Sequence, residues 1–220
     1  NSKFRPPSEK ELKELKKQRI KGGKDEIITI VSISRQTDRK GTDLLIEVIP
    51  EICKQLPNVN FIIGGDGPKK KLLDIMIDAL GLKDRVKLTG FLAHHKVRDV
   101  MIQGQIYLNT SLTESFCIAI VEAASAGLYT IATDVGGVGE VLPEYMVRLV
   151  KPDKESIIQA IKEARALGDL SENADYDAAK NDQAELEGRI KKIEKMLEDY
   201  QIIENKASDK VGLWSTIEIK

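Results

Sequence analysis

The sequence holds few of the residues that build metal or disulfide sites. It has two cysteines, Cys53 and Cys117, and two histidines, the adjacent His94 and His95, in 220 residues. One cysteine falls in an apolar helical pattern and the other beside a strand-to-helix turn. That excludes a disulfide framework and a Cys-x-x-Cys pair, and it points to a reducing compartment. Neighbouring histidines cannot converge on one ion as an i, i+4 pair can, so no metal site is assigned and both read as surface residues. Aromatics make up 5% of the chain, and Trp214 and Tyr200 read as packing or partner contacts, not as stacking platforms for bases. An excess of one charge is missing too. The net charge is -1, with 26 basic against 22 acidic residues in 1–165 and 8 against 13 in 166–220. Neither part reaches the basic balance of a duplex-binding surface, though the asymmetry implies two units with different partners. The longest apolar run, FCIAIVEAASAGLYTIAT, carries Glu122, Ser125 and Gly127, so it reads as helix, turn and strand and not as a membrane span. The first residues, NSKFRPPSEK, lack the apolar centre of a signal peptide, and their start without methionine points to an excised piece. No internal repeat or low-complexity tract is evident.

Apolar residues make up 41% of the chain, enough for one sizeable core with some chain left over. Residues 1–23 form a connector, with a charged helix over 8–20 after Pro-Pro and a short KGGK link. Compact β-branched runs follow at 27–34, 60–65, 86–91, 106–111, 129–134 and 146–150. Most are nearly continuous in apolar residues, as strands buried on both faces are. Between them lie helical patterns such as Leu44, Leu45, Val48, Ile49, Ile52 and Leu56. This alternation predicts an α/β fold over 24–160, a Rossmann-like parallel sheet with flanking helices and right-handed crossovers. Ligands of such sheets sit at the carboxyl ends of the strands. From Lys154 a further helix leads to the acidic turn GDLSEN. The turn belongs to a C-terminal coiled-coil segment over 161–205, whose long helix, from about Ala174 to Gln201, has its seam at Tyr176, Ala179, Gln183, Leu186, Ile190, Ile193, Leu197 and Tyr200. Residues 206–220 read as the truncated start of a β domain.

Three stretches could carry chemistry. In SRQTDRKGTDLL the cations Arg35, Arg39 and Lys40 lie on a loop that enters a helix, a setting that attracts a diphosphate, although ordinary exposed basic residues give the same pattern. GGDGPKKK is a glycine turn, either for close approach to a ligand or simply to reverse the chain. It is not the dinucleotide fingerprint, because it follows the second strand and lacks the third glycine. In TSLTESFCIAIVEAASAG a helix beginning near Ser115 would put Glu114 at its mouth and Glu122 two turns in, with Gly127 closing it. Glu122 interrupts an apolar stripe of Phe116, Ile118, Ile120, Val121 and Ala124, where a carboxylate is costly unless hydroxyls or a cation meet it.

The motifs SRQTDRKG, FIIGGDGP, GFLAHHKVRDVM, NTSLTESFCIAIVEAASAG and DVGGVGEVLP, in that order, resemble the C-terminal, donor-binding half of GT-B retaining glycosyltransferases. They are similar in particular to the N-acetylglucosaminyltransferases that start GPI-anchor synthesis. The likeness covers roughly residues 1–160. It implies a nucleotide-sugar substrate of the UDP-N-acetylglucosamine kind and no cofactor, with Arg35 and Lys40 on the donor diphosphate. Glu114 would meet the transferred sugar, with the Ser115 and Phe116 amides nearby, and Glu122 the nucleotide ribose. It also implies a cytoplasmic location, or one at the cytoplasmic face of a membrane through partner subunits, and an acceptor-binding domain that this chain lacks. Gly139 departs from the pattern, standing where that family usually has proline.

The stretch EARALGDLSENADYDAAKNDQAELEGRIKKIEKML resembles a second family, the coiled-coil hairpin of bacterial Gre-type transcript cleavage factors. That likeness implies a tip whose carboxylates, Asp169 and Glu172, help hold a catalytic magnesium in RNA polymerase. Without it, GDLSEN reads as a solvated turn with helix-capping residues. Three expectations therefore stand together: the donor half of a hexosyltransferase, a polymerase-binding cleavage module, or an inactive chimera of the two. An unpartnered stripe along 186–200 adds a possible homodimer contact.

Overall fold

The structure, a computed structural model, describes residues 4–19 and 27–166 together with Lys192 and Lys195. The expected seam, the tip residues Asp169 and Glu172, and the β-domain start at 206–220 lie outside the described residues.

Six strands form one sheet: β1 (Ile28–Ile33), β2 (Val59–Gly64), β3 (Val86–Gly90), β4 (Ile106–Asn109), β5 (Tyr129–Thr133) and β6 (Val147–Val150). Every pairing is parallel and the order is β3-β2-β1-β4-β5-β6. All six coincide with the β-branched runs of the sequence to within two residues at either end. The helices are α1 (Glu9–Arg19), α2 (Thr42–Gln55), α3 (Lys70–Ala79), α4 (His94–Met101), α5 (Ile118–Ser125) and α6 (Lys154–Ala166).

Successive residues of each strand bury on opposite faces, which is why the strands read as unbroken apolar runs. One face joins Ile30, Phe61, Ile106 and Ile131 to the apolar sides of α2, α3 and α6. The other joins Val31, Ile62, Tyr107 and Ala132 to α4, α5 and Phe4. Ile157 and Ile161 of α6 are fully buried, worth roughly 1.5–3 kcal/mol each relative to exposure. Among the described residues, no helix is long and apolar enough to cross a membrane.

The N-terminal segment is held to α4. Ser8 and Glu11 make a capping box at the start of α1, in which the Ser8 amide and hydroxyl each donate to Glu11 Oε2 at 2.7 Å. Arg98 of α4 then reaches across, donating to the Arg5 carbonyl at 2.8 Å and the Pro6 carbonyl at 3.1 Å, and pairing with Glu11 at 3.2 Å. The Ser8 hydroxyl and amide, followed by Arg98, hold the Glu11 carboxyl down at about 2.

Candidate functional site

The strand order reverses between β1 and β4, so the loops leaving these two strands diverge and open a crevice at their carboxyl ends. Two backbone features bring the loops together. Gly41 follows a short 3-10 turn, Asp38–Lys40, and takes a left-handed φ of 67°. A Cβ there would stand 1.7 Å from the Thr110 carbonyl oxygen, so no residue with a side chain lets the two loops approach this closely. The Thr110 hydroxyl then donates to the carbonyls of Lys40 and Gly41, each at 3.1 Å, and the Leu112 amide donates to Arg39 O at 2.9 Å.

This stitching sets Lys40 against Glu114. Their ammonium and carboxylate form an ion pair, and the Ser111 hydroxyl donates to the same Glu114 oxygen at 3.1 Å. Glu114 is 12% exposed and Lys40 33%, so the carboxylate lies low in the crevice and the ammonium stays open to a ligand. Ser111 is itself buried: its amide donates to Asn109 Oδ1 at 3.1 Å, and its carbonyl accepts from the Thr133 hydroxyl at the end of β5. Asn109 in turn donates to Cys117 Sγ at 3.2 Å. Cys117 is the one described non-glycine residue with positive φ, at 55°, and burial pushes its thiol up to about 11. The β1 and β2 loops are joined in the same manner by buried Gln36, which donates to the carbonyls of Ser34 and Gly64, each at 3.0 Å.

From the far side, the loop after β5 closes on Glu114. Gly136 has φ 57°, and a Cβ on it would lie 2.0 Å from the Glu114 carbonyl oxygen. The Gly137 amide donates to that same carbonyl at 3.2 Å. Gly139, where proline is usual, lies in a 3-10 turn over Val138–Glu140, so the turn forms without the ring.

Arg35 is exposed two residues beyond β1 and makes no ion pair among the described residues. Ser115 and Phe116 are exposed, and their amides make no backbone hydrogen bond among the described residues. The helix expected from Ser115 begins instead at Ile118. Glu114 therefore lies on a loop before the helix, and Glu122 stands one turn in, not two. The left-handed backbone at Cys117 causes the delay, because it interrupts the run of helical dihedrals. Gly127, with φ 82°, closes α5 as expected: its amide reaches Ala124 O at 2.9 Å and the Leu128 amide reaches Ala123 O at 3.1 Å.

His94, read from the sequence as a plain surface residue, is the charged-site neighbour of Glu122, with Nε2 3.3 Å from Oε1. The sequence reading also passed over Asn109, Ser111, Thr133 and Gln36. A signal for the first two was present, since NTS ends a strand whose other residues are apolar. Polar side chains at the end of a doubly covered strand are costly unless a network meets them.

Comparison with known proteins places this geometry. Residues 13–181 match the family described as Glycosyl transferases group 1. The chain is 56% identical over 139 residues to a phosphatidylinositol N-acetylglucosaminyltransferase subunit of Arabidopsis thaliana, covering 63% of this chain and 31% of that protein. To the human counterpart of that subunit it is 53% identical over 137 residues, covering 62% and 28%. The chain thus spans under a third of the length of these curated relatives. Among solved structures, the fold is shared with Anabaena Alr3699/HepE in complex with UDP, at TM-score 0.67 and 22% identity, covering 90% of this chain and 55% of that one. It is shared also with the C-terminal domain of the glycosyl transferase group 1 protein LpcC from Francisella tularensis, at TM-score 0.66 and 22% identity, covering 81% and 94%. The family match takes in every loop that lines the crevice and runs through Asp169 and Glu172 to residue 181. Spanning well over half of the sequence, it means that the chain belongs to the Glycosyl transferases group 1 family.

Proposed function

We propose that this chain is the nucleotide-sugar-binding half of a retaining hexosyltransferase of the kind that starts GPI-anchor synthesis, with a donor of the UDP-N-acetylglucosamine type. The observation that carries the proposal is the Lys40–Glu114 pair held by Ser111 in the crevice at the strand-order reversal. A cation and a carboxylate fixed side by side suit a ligand that is anionic at one end and hydroxylated at the other. Lys40 and Arg35 offer charge to a diphosphate. Glu114 accepts from the hydroxyls of the transferred sugar, and the exposed Ser115 and Phe116 amides donate to it. Glu122, one turn into α5, accepts from the ribose. The high identity to the phosphatidylinositol N-acetylglucosaminyltransferase subunits over residues that include this crevice supports the sugar and the pathway. The acceptor site then belongs to another domain or to partner subunits of a membrane complex, and the chain works at the cytoplasmic face of that membrane. No cofactor is required.

Isothermal calorimetry with UDP-N-acetylglucosamine tests the reading. Among the described residues no second wall covers the site to desolvate the ligand, so binding in the millimolar to high micromolar range is expected, about -4 to -6 kcal/mol. Arg35→Ala or Lys40→Ala removes measurable binding. Affinity unchanged in both variants would falsify the diphosphate assignment.

A further inference from the structure

Glu122 raises a question of its own. Its side chain is 14% exposed, on a helix whose neighbours Ile120 and Ala123 are fully buried. A carboxylate in such a place needs a partner to fix it, and the side chain facing it is the imidazole of His94, with Nε2 3.3 Å from Oε1. His94 opens α4 at the carboxyl side of β3, so it stands on the same side of the sheet as the crevice. Its side chain is 63% exposed, and the Phe4 ring meets it in a T-shaped contact, with centroids 5.6 Å apart and planes at 82°. Phe4 in turn is buried, and the chain beside it is pinned by the Arg98 bonds to the Arg5 and Pro6 carbonyls. The imidazole thus lies between the Phe4 ring and the carboxylate.

We propose that His94 is a positioning residue for Glu122. It holds Oε1 of the carboxylate and leaves Oε2 directed at the vicinal hydroxyls of a ribose, so that it sets the preference for ribonucleotides over nucleotides lacking those hydroxyls. The inference rests on the reading of Glu122 as a ribose contact. A carboxylate with one oxygen already tethered loses less rotamer freedom when the other accepts from a diol, so the gain is one of preorganisation. A purely structural histidine at the head of α4 would have no such selective effect.

The test is titration calorimetry of the whole chain with UDP and, separately, with 2′,3′-dideoxy-UDP. The unaltered chain is expected to favour UDP by about tenfold, as a hydrogen bond to a charged group implies. His94→Ala is expected to weaken UDP about fivefold and to leave the dideoxy compound within twofold. His94→Gln, whose amide can still donate, restores part of the preference. In a Glu122→Gln background, His94→Ala should change neither ligand further, which is the signature of two residues acting as one unit. Equal weakening of both ligands by His94→Ala, or no weakening of either, overturns the proposal while leaving the diphosphate reading intact. If the unaltered chain binds UDP with the Arg35 and Lys40 dependence but shows no preference over the dideoxy compound, the ribose role of Glu122 falls and this inference falls with it. If it binds neither, the functional reading itself is wrong.

Discussion

At the scale of single residues, polar side chains join segments that are distant in sequence, and one such contact can be titrated. Glu11 ties α1 to Arg98 of α4, and its carboxyl is held at about 2 against an ordinary 4.5. A folded value below the unfolded one means that the contribution is complete above pH 4.5 and is lost as pH falls toward about 2. We therefore expect the melting temperatures of the unaltered chain and of Glu11→Gln to differ by a constant amount from neutrality down to about pH 4.5. The two curves should then converge as the pH is lowered further. A gap that persists undiminished to pH 2.5 would show that Glu11 does not titrate in the folded state as stated. Convergence would also explain why a helix as charged as α1 stays attached: its apolar contribution is slight, Leu15 being only partly buried against the core.

Among the secondary-structure elements, α6 bears most on what the chain can do. Ile157, Ile158 and Ile161 could have served either the sheet or one arm of a coiled-coil hairpin, and the two uses compete for one face. The sheet has it: all three are buried with Leu45, Ile49 and Val150 in one core. A Gre-type tip needs two arms of similar length to hold it out rigidly, and an arm whose apolar face is already committed cannot supply that. We expect no stimulation of RNA cleavage when the chain is added to backtracked bacterial RNA polymerase. Cleavage that disappears in Asp169→Ala and Glu172→Ala would show that the hairpin assembles, and the tip would then have to be read as functional. The coiled-coil seam and the acidic turn lie outside the described residues, so the expectation rests on α6 alone. The limits of α1 and α2 were legible because each carries an apolar repeat or a charged one between turn residues, whereas the start of α5 was not. Ser115 and Phe116 have nothing in their chemistry that forbids helix. What delays the helix to Ile118 is the left-handed Cys117, held by burial and by the Asn109 amide against its sulfur.

At the scale of the whole molecule, what the described residues supply is the sheet side of the crevice. There Lys40 pairs with Glu114 and His94 faces Glu122, but glycosyl transfer requires donor and acceptor held together. A polypeptide of these 220 residues is expected to transfer no sugar from UDP-N-acetylglucosamine to phosphatidylinositol in detergent micelles, even where calorimetry shows the donor bound. Turnover by the pure chain that vanishes in Glu114→Ala would mean that the acceptor site is built from residues described here after all.

The sequence by itself determined the parallel sheet and its six strands. Doubly buried strands and amphipathic crossovers leave a pattern that no other fold class shares. It also carried Arg35, Lys40, Glu114 and Glu122 through motif likeness. Only the tertiary structure decided which of these meet. Lys40 and Glu114 are distant in sequence, and their approach depends on Gly41 letting one loop's backbone pass against another's carbonyl. His94 and Glu122 face each other because α4 and α5 pack on the same side of the sheet. Contacts of this kind follow from the order of the strands, which local periodicity does not encode. A residue as plain in sequence as His94 can therefore stand beside a carboxylate that is only 14% exposed.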